Sequence, residues 1–130
     1  MMNKPTNPSN LGHESESAQG ACFGIGIDLG GTHLRAGLID LSGNIRAENS
    51  ILSPHTTLEA FEKAVQKVIV ELEEVTGIDD EDVTHLVIGV PGVVEPETGM
   101  ISLCPNLPYL NGAFLQKNLE KLLKMRTLLS

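Results

Sequence analysis

The chain has 130 residues, with nine Lys plus Arg against seventeen Asp plus Glu, a net charge of −8, and 41% hydrophobic against 20% charged residues. This is the length and composition of one globular domain, and its acidic balance, with no Trp, one Tyr and three Phe, excludes a nucleic-acid surface. No apolar run reaches the roughly 18 residues of a membrane span, no apolar core follows Lys4 to make a secretory signal, and Cys22 and Cys104 alone form neither a disulfide framework nor a zinc site, so a cytoplasmic address is expected.

Residues 1–20, with Pro5, Pro8 and Gly12 among Ser, Asn and Glu, have no periodicity and read as a disordered leader, too short and irregular for a helix-turn-helix. Residues 21–130 read as a single lobe. Cys22 to Asp28 is predicted as a strand, with Phe23, Ile25 and Ile27 on one face and Gly24, Gly26 and Asp28 on the other. A glycine turn, Leu29-Gly30-Gly31-Thr32-His33, leads to a second strand over Leu34 to Asp40. The turn Asp40-Leu41-Ser42-Gly43-Asn44 leads to a third over Ile45 to Leu52. Such short links imply an antiparallel meander.

Apolar residues recur at helical steps over 56–76, with Thr56 and Glu59 fitting a capping box and Gly77 a C-terminal stop. Asp79-Asp80-Glu81-Asp82 lacks the spacing of a calcium loop and reads as solvated. His85 to Val90 is apolar without alternation, which predicts a buried strand parallel to its neighbour after the helical crossover. A loop rich in Pro, Gly and Asn runs to about Asn111, and a last helix starts near Gly112 with Lys117, Lys121, Lys124 and Arg126 towards its far end. Met125 to Leu129 reads either as the stub of a fifth strand or as no strand. In the second case His85–Val90 is an exposed sheet edge, and marginal stability or association through that edge, as in a homo-oligomer, is expected. The fold class is α/β with a mixed sheet: a three-stranded antiparallel meander, then helix, strand, helix. His13, His33, His55 and His85 have no ligand spacing and read as surface or turn residues.

The segment Gly24-Ile25-Gly26-Ile27-Asp28-Leu29-Gly30-Gly31-Thr32 carries the chemistry. It lacks the third glycine of a dinucleotide fingerprint and the Gly-Lys-Ser/Thr of a Walker A loop. What remains is a carboxylate at a strand end before a glycine turn with a hydroxyl. Gly30 and Gly31 can take backbone angles closed to other residues, so that consecutive N–H groups converge on phosphate, joined by Thr32. Asp28 repels phosphate but can hold a hydrated Mg²⁺ beside it. The alternative is a plain hairpin turn with Asp28 as a turn former.

Gly26-Ile-Asp-Leu-Gly-Gly-Thr-His-Leu-Arg-Ala-Gly-Leu-Ile-Asp40 resembles the opening of the ROK family of sugar kinases and repressors. Ile88-Gly-Val-Pro-Gly-Val-Val-Glu-Pro-Glu-Thr-Gly99, Cys104-Pro-Asn-Leu-Pro108 and Asn111-Gly112 resemble that family's sugar-side loops, in the right order and spacing. The bacterial glucokinases of the family are the most similar in character, and the resemblance covers about residues 22–124. It implies an actin/hexokinase-like (ribonuclease H-like) ATPase lobe and an ATP-dependent transferase of carbohydrate metabolism and glycolysis, phosphorylating a hexose such as glucose. It further implies cofactor binding by Asp28, Gly30, Gly31 and Thr32, with Asp28 near Mg²⁺ through water. Gly92 would let the chain pass close to the sugar, and Asn106 would hydrogen-bond a sugar hydroxyl, unless Pro-Asn-Leu-Pro is an ordinary turn.

The resemblance also implies a catalytic base in a Glu-Asn-Asp-Ala-Asn motif after a further strand, and no residue here matches it. Asp28 belongs to the phosphate side and Asp40 caps a strand, so neither is a substitute. The expectation is therefore an incomplete, truncated lobe without catalytic residues and without kinase activity of its own. Two rival expectations stand beside it: the sugar-sensing lobe of a ROK-type repressor, and a non-catalytic interaction fragment.

Overall fold

The computed structural model describes residues 22–130, and the leader expected over 1–20 lies outside them. Strands β1 (Phe23–Leu29), β2 (His33–Ile39) and β3 (Ile45–Leu52) are followed by helix α1 (Leu58–Thr76), strand β4 (Val83–Gly89), a hairpin of β5 (Val93–Val94) and β6 (Ile101–Leu103), helix α2 (Leu115–Leu123) and strand β7 (Arg126–Leu129). Single 3₁₀ turns occupy Asp80–Asp82 and Pro108–Leu110.

The five-stranded sheet has the order β3-β2-β1-β4-β7. The links between β1, β2 and β3 are too short for a crossover, so these strands pair antiparallel, with Asp28 opposite Arg35 and Gly26 opposite Gly37. The long connection through α1 returns β4 parallel to β1, and the one through α2 returns β7 parallel to β4. Met125 to Leu129 therefore does supply a fifth strand. His85 pairs with Arg126 and Ile88 with Leu129, so the His85–Val90 segment is an inner strand rather than an edge.

Both helices pack on one face of the sheet. Phe61, Val65, Val68, Ile69 and Leu72 of α1, with Leu115 and Leu119 of α2, form one core with the inward residues of β1, β2 and β4. This corrects the expectation that β4 is buried without alternation. Leu86 and Ile88 are fully buried, but Val87 between them is 42% exposed, because the described residues put no layer over the second face. Leu128, its register partner on β7, is likewise exposed. Asp28 and Arg35 stand on that open face, beside a groove of about 840 Å³ that also involves Gly26, Gly37, Ile45 and Val87.

Boundaries shift for local reasons. The N-cap of α1 is Thr57, whose Oγ1 accepts from the Ala60 amide at 3.0 Å, and not Thr56. Gly77 ends the helix as expected, at φ 73°. Helix α2 starts at Leu115, three residues after Gly112, because the 3₁₀ turn and the positive φ of Gly112 (82°) occupy the preceding chain. It stops at Leu123 with Lys124 left-handed at φ 57°, which leaves Lys121 as the base of its last turn and puts Arg126 on β7.

Near the end of α1, Glu73 Oε2 is buried without a hydrogen-bond partner among the described residues. Burial first, and the neighbouring Asp80 second, push its carboxyl from 4.5 up to about 7. A folded-state value above the unfolded one favours folding of the protonated form. That contribution is whole below about 4.5 and is lost as pH rises through about 7. Screening at this half-buried position limits it to about 1 kcal/mol. Urea-unfolding midpoints should fall between pH 5 and pH 8, and Glu73→Gln should flatten that fall. An equally steep fall in the variant would rule out Glu73 as its source.

Candidate functional site: the glycine turn and the loop beside it

Strand β1 carries Asp28 onto the open face, where it is exposed and makes no hydrogen bond or ion pair among the described residues. The Gly30 amide donates to the His33 carbonyl at 2.8 Å and closes the turn. The three carbonyls of the turn are all taken by the segment after β3. Ser53 Oγ donates to the Gly30 carbonyl at 2.7 Å, His55 Nε2 to the Gly31 carbonyl at 2.7 Å, and the Ser53 amide to the Thr32 carbonyl at 2.8 Å.

These bonds fix where the amides point. In a trans peptide the N–H lies opposite the preceding C=O, and the chain has no cis bond among the described residues. With the Gly30 and Gly31 carbonyls drawn towards Ser53 and His55, the Gly31 and Thr32 amides face the other way. Neither donates to any acceptor among the described residues. Two consecutive free N–H groups and the exposed Thr32 hydroxyl thus make an electropositive concavity suited to an anion. The glycines serve this for a different reason from the one expected. Neither takes a positive φ. A Cβ on Gly30 would lie 3.1 Å from the His33 oxygen, and one on Gly31 would lie 3.2 Å from Asn106 Cβ.

The second block of sequence comes to the same place. Asn106 is exposed, and its Nδ2 would lie 3.4 Å from a Cβ on Gly31. Its amide makes no hydrogen bond among the described residues, while the loop around it is pinned. The Cys104 amide donates to Asn111 Oδ1 at 2.7 Å, and the Tyr109 hydroxyl donates to the Pro54 carbonyl at 2.9 Å. Burial first, then Cys104, push the Tyr109 phenol up to about 12, so this donor keeps its proton at any ordinary pH. Gly92 stands apart from Asn106 in its reason for being glycine. A Cβ there would overlap the Leu103 carbonyl oxygen and come within 3.0 Å of Cys104 Cα, so the close approach it permits is to the β6 backbone. Cys104 is fully buried, and burial raises its thiol above the ordinary range.

Asp40 Oδ1 accepts from the amides of Ser42 and Asn44 at 3.0 and 2.9 Å, which makes it a turn builder at the opposite end of β2 from the glycine turn. For a divalent cation, the described residues contain no cluster of three or more His, Cys, Asp or Glu able to hold one. Asp28 alone, exposed and unpaired, fits a cation that keeps most of its water and rests on a phosphate. Sequence reading missed four contributors. Arg35 was visible in the antiparallel register, opposite Asp28. Ser53, His55 and Tyr109 had no local signal, because each acts across a long stretch of chain.

The family model described as ROK family matches residues 24–130. The N-acetyl-D-glucosamine kinase of Salmonella gallinarum (strain 287/91 / NCTC 13346) is 31% identical over 95 residues, which is 73% of this chain and 30% of that one. A ROK family glucokinase from Streptomyces griseus, solved with glucose and AMPPNP, matches at 25% identity and TM-score 0.72, over 83% of this chain and 32% of its own. A ROK family transcriptional regulator, described as a homolog of the E. coli MLC protein, shares the fold at 19% identity and TM-score 0.71, over 85% of this chain and 28% of its own. The chain spans under a third of the length of each of these relatives. No helix among the described residues is long and apolar enough to cross a membrane.

Proposed function

The chain belongs to the ROK family, and from that premise we propose that it is the N-terminal lobe of an ATP-dependent hexose kinase of the cytoplasm. The observation that carries this reading is the pair of amides at Gly31 and Thr32 that donate to no acceptor among the described residues, in a turn that follows Asp28 and lies against Asn106, whose side chains likewise have no hydrogen-bond partner among those residues. An anion site, a cation-orienting carboxylate and a group able to both donate to and accept from a hydroxyl are the parts that phosphoryl transfer to a sugar requires on one side of a cleft.

In this reading the Gly31 and Thr32 amides and the Thr32 hydroxyl hold the terminal phosphates of ATP and stabilise the charge that builds on them. Asp28 orients the waters of Mg²⁺, and Arg35 beside it adds positive charge on the same face. Mg²⁺, when bound, neutralises phosphate charge. Asn106 binds a sugar hydroxyl, and its closeness to Gly31 brings acceptor and phosphate together, which is the proximity part of catalysis. Gly92 acts indirectly, by seating the β5–β6 hairpin. The family resemblance assigns the base to none of the described residues, and general-base assistance is worth about 10²–10⁴-fold. The 130-residue polypeptide is accordingly proposed to bind without turning over.

Glucose is the first substrate choice, supported by the glucokinase likeness, and N-acetyl-D-glucosamine the second, supported by the more identical kinase. Calorimetric titration with each sugar, with and without Mg²⁺-AMPPNP, tests the reading. Binding of a hexose that tightens with nucleotide is expected, together with no ADP release above background in a coupled assay with ATP. Hexose binding indifferent to nucleotide would favour a sugar-sensing lobe instead. Turnover at the rate of a complete kinase would overturn the proposed dependence on a base outside this chain.

A further inference from the structure

The phosphate turn owes its shape to a segment that the proposed chemistry does not use. We propose that Ser53-Pro54-His55 is a positioning strap whose donors, by holding the carbonyls of Gly30, Gly31 and Thr32, aim the Gly31 and Thr32 amides at the anion. Three consecutive carbonyls bound from one three-residue segment exceed what a hairpin turn needs, since the Gly30 amide to His33 carbonyl bond already closes it. The two halves of the strap differ in setting. Ser53 is buried, so its two bonds are shielded from water, while His55 is exposed and its bond to Gly31 is made at the surface. The strap is itself anchored, because the Pro54 carbonyl accepts from the Tyr109 hydroxyl. Turn, strap and the Asn106 loop thus form one hydrogen-bonded unit, and neither strap side chain touches the proposed ligand. The aiming follows from peptide geometry: releasing the Gly31 carbonyl frees the Gly31–Thr32 peptide plane to rotate, and the Thr32 amide rotates with it.

The aiming of the amides is independent of what they bind; that the ligand is a nucleotide phosphate rests on the function proposed above. The test uses the 130-residue chain and the variants His55→Ala, His55→Gln and Ser53→Ala. Without any ligand, amide hydrogen exchange at Gly30 should quicken about tenfold in His55→Ala and in Ser53→Ala, the equivalent of one to two lost hydrogen bonds. The Ile27 amide should not change, and His55→Gln, which keeps an N–H donor, should restore most of the protection. Wild-type exchange at Gly30 in His55→Ala would overturn the strap, and this surface variant remains informative if Ser53→Ala fails to fold. With Mg²⁺-AMPPNP as probe, His55→Ala should weaken nucleotide binding and leave hexose binding unchanged. Measurable nucleotide binding by wild type that is undiminished in His55→Ala would also overturn the strap. Faster Gly30 exchange in the variants, with no nucleotide binding by wild type, would support the strap and count against the phosphate reading alone.

Discussion

Gly31→Val is expected to weaken binding of Mg²⁺-AMPPNP about ten- to hundredfold while leaving the chain folded. A hydrogen bond to a charged group is worth about 1.5–3 kcal/mol, and misplacing one of the two free amides removes at least one. The valine acts on both sides of the turn. Its Cβ would lie 3.2 Å from Asn106 Cβ and 3.4 Å from its Nδ2, and the branched methyl groups reach further. The side chain of Asn106 must then move, or the turn must. Asn106 Cβ is fixed to its backbone and the loop around it is pinned, so the turn, with its amides, is what shifts; the turn is at the surface, so the core is untouched and the unfolding temperature should hardly change. Hexose binding should weaken in the same variant, since the valine crowds the Asn106 amide. Equilibrium dialysis of nucleotide and sugar measures both, and undiminished affinity for both would detach this turn from the binding site.

The second large effect concerns the sheet. Leu86→Ala should destabilise the chain by about 2–5 kcal/mol, the usual cost of emptying a fully buried leucine site. Against a total of roughly 5–15 kcal/mol for a domain, that is enough to unfold a measurable fraction at room temperature. Val87→Ala, one residue on, should change stability by about 0.5 kcal/mol or less, as surface substitutions usually do. The contrast follows from burial. Leu86 is fully enclosed in the core, whereas Val87 faces the open side and is 42% exposed. Urea denaturation of the two variants decides the point. Equal losses would mean that both faces of β4 are covered in solution.

The run His85 to Val90 shows why that face could not be read from sequence. An unbroken apolar strand states that both faces accept apolar neighbours, but not whether the described chain provides them. The meander was legible because Phe23, Ile25 and Ile27 alternate with Gly24, Gly26 and Asp28, and because the glycine turn is too short for anything but a hairpin. The first helix was legible from its period, but not its cap, since Thr56 and Thr57 are chemically equal candidates and only backbone geometry selects Thr57. Strands β5 and β6, two and three residues long, fall below the length at which periodicity has meaning.

The site divides in the same way. The residues on the proposed ligand side of the turn, Asp28 to Thr32, announced themselves by composition. Their supports did not, because Ser53 and His55 reach back 23 and 24 residues and Tyr109 reaches back 55 to Pro54. Gly92 illustrates the limit of reading glycine as ligand space. Its missing Cβ makes room for the Leu103 carbonyl of its own hairpin, and only coordinates distinguish that from room for a sugar.

The most direct test of the central claim is an amide NMR titration of the ¹⁵N-labelled chain with Mg²⁺-AMPPNP in the presence of glucose. The Gly31 and Thr32 amide resonances should move furthest, with Asn106 side-chain signals following, and Asp28→Asn should reduce the shifts when Mg²⁺ is present. Shifts centred elsewhere on the chain, with Gly31 and Thr32 unmoved at saturation, would contradict the assignment of this turn to the phosphates.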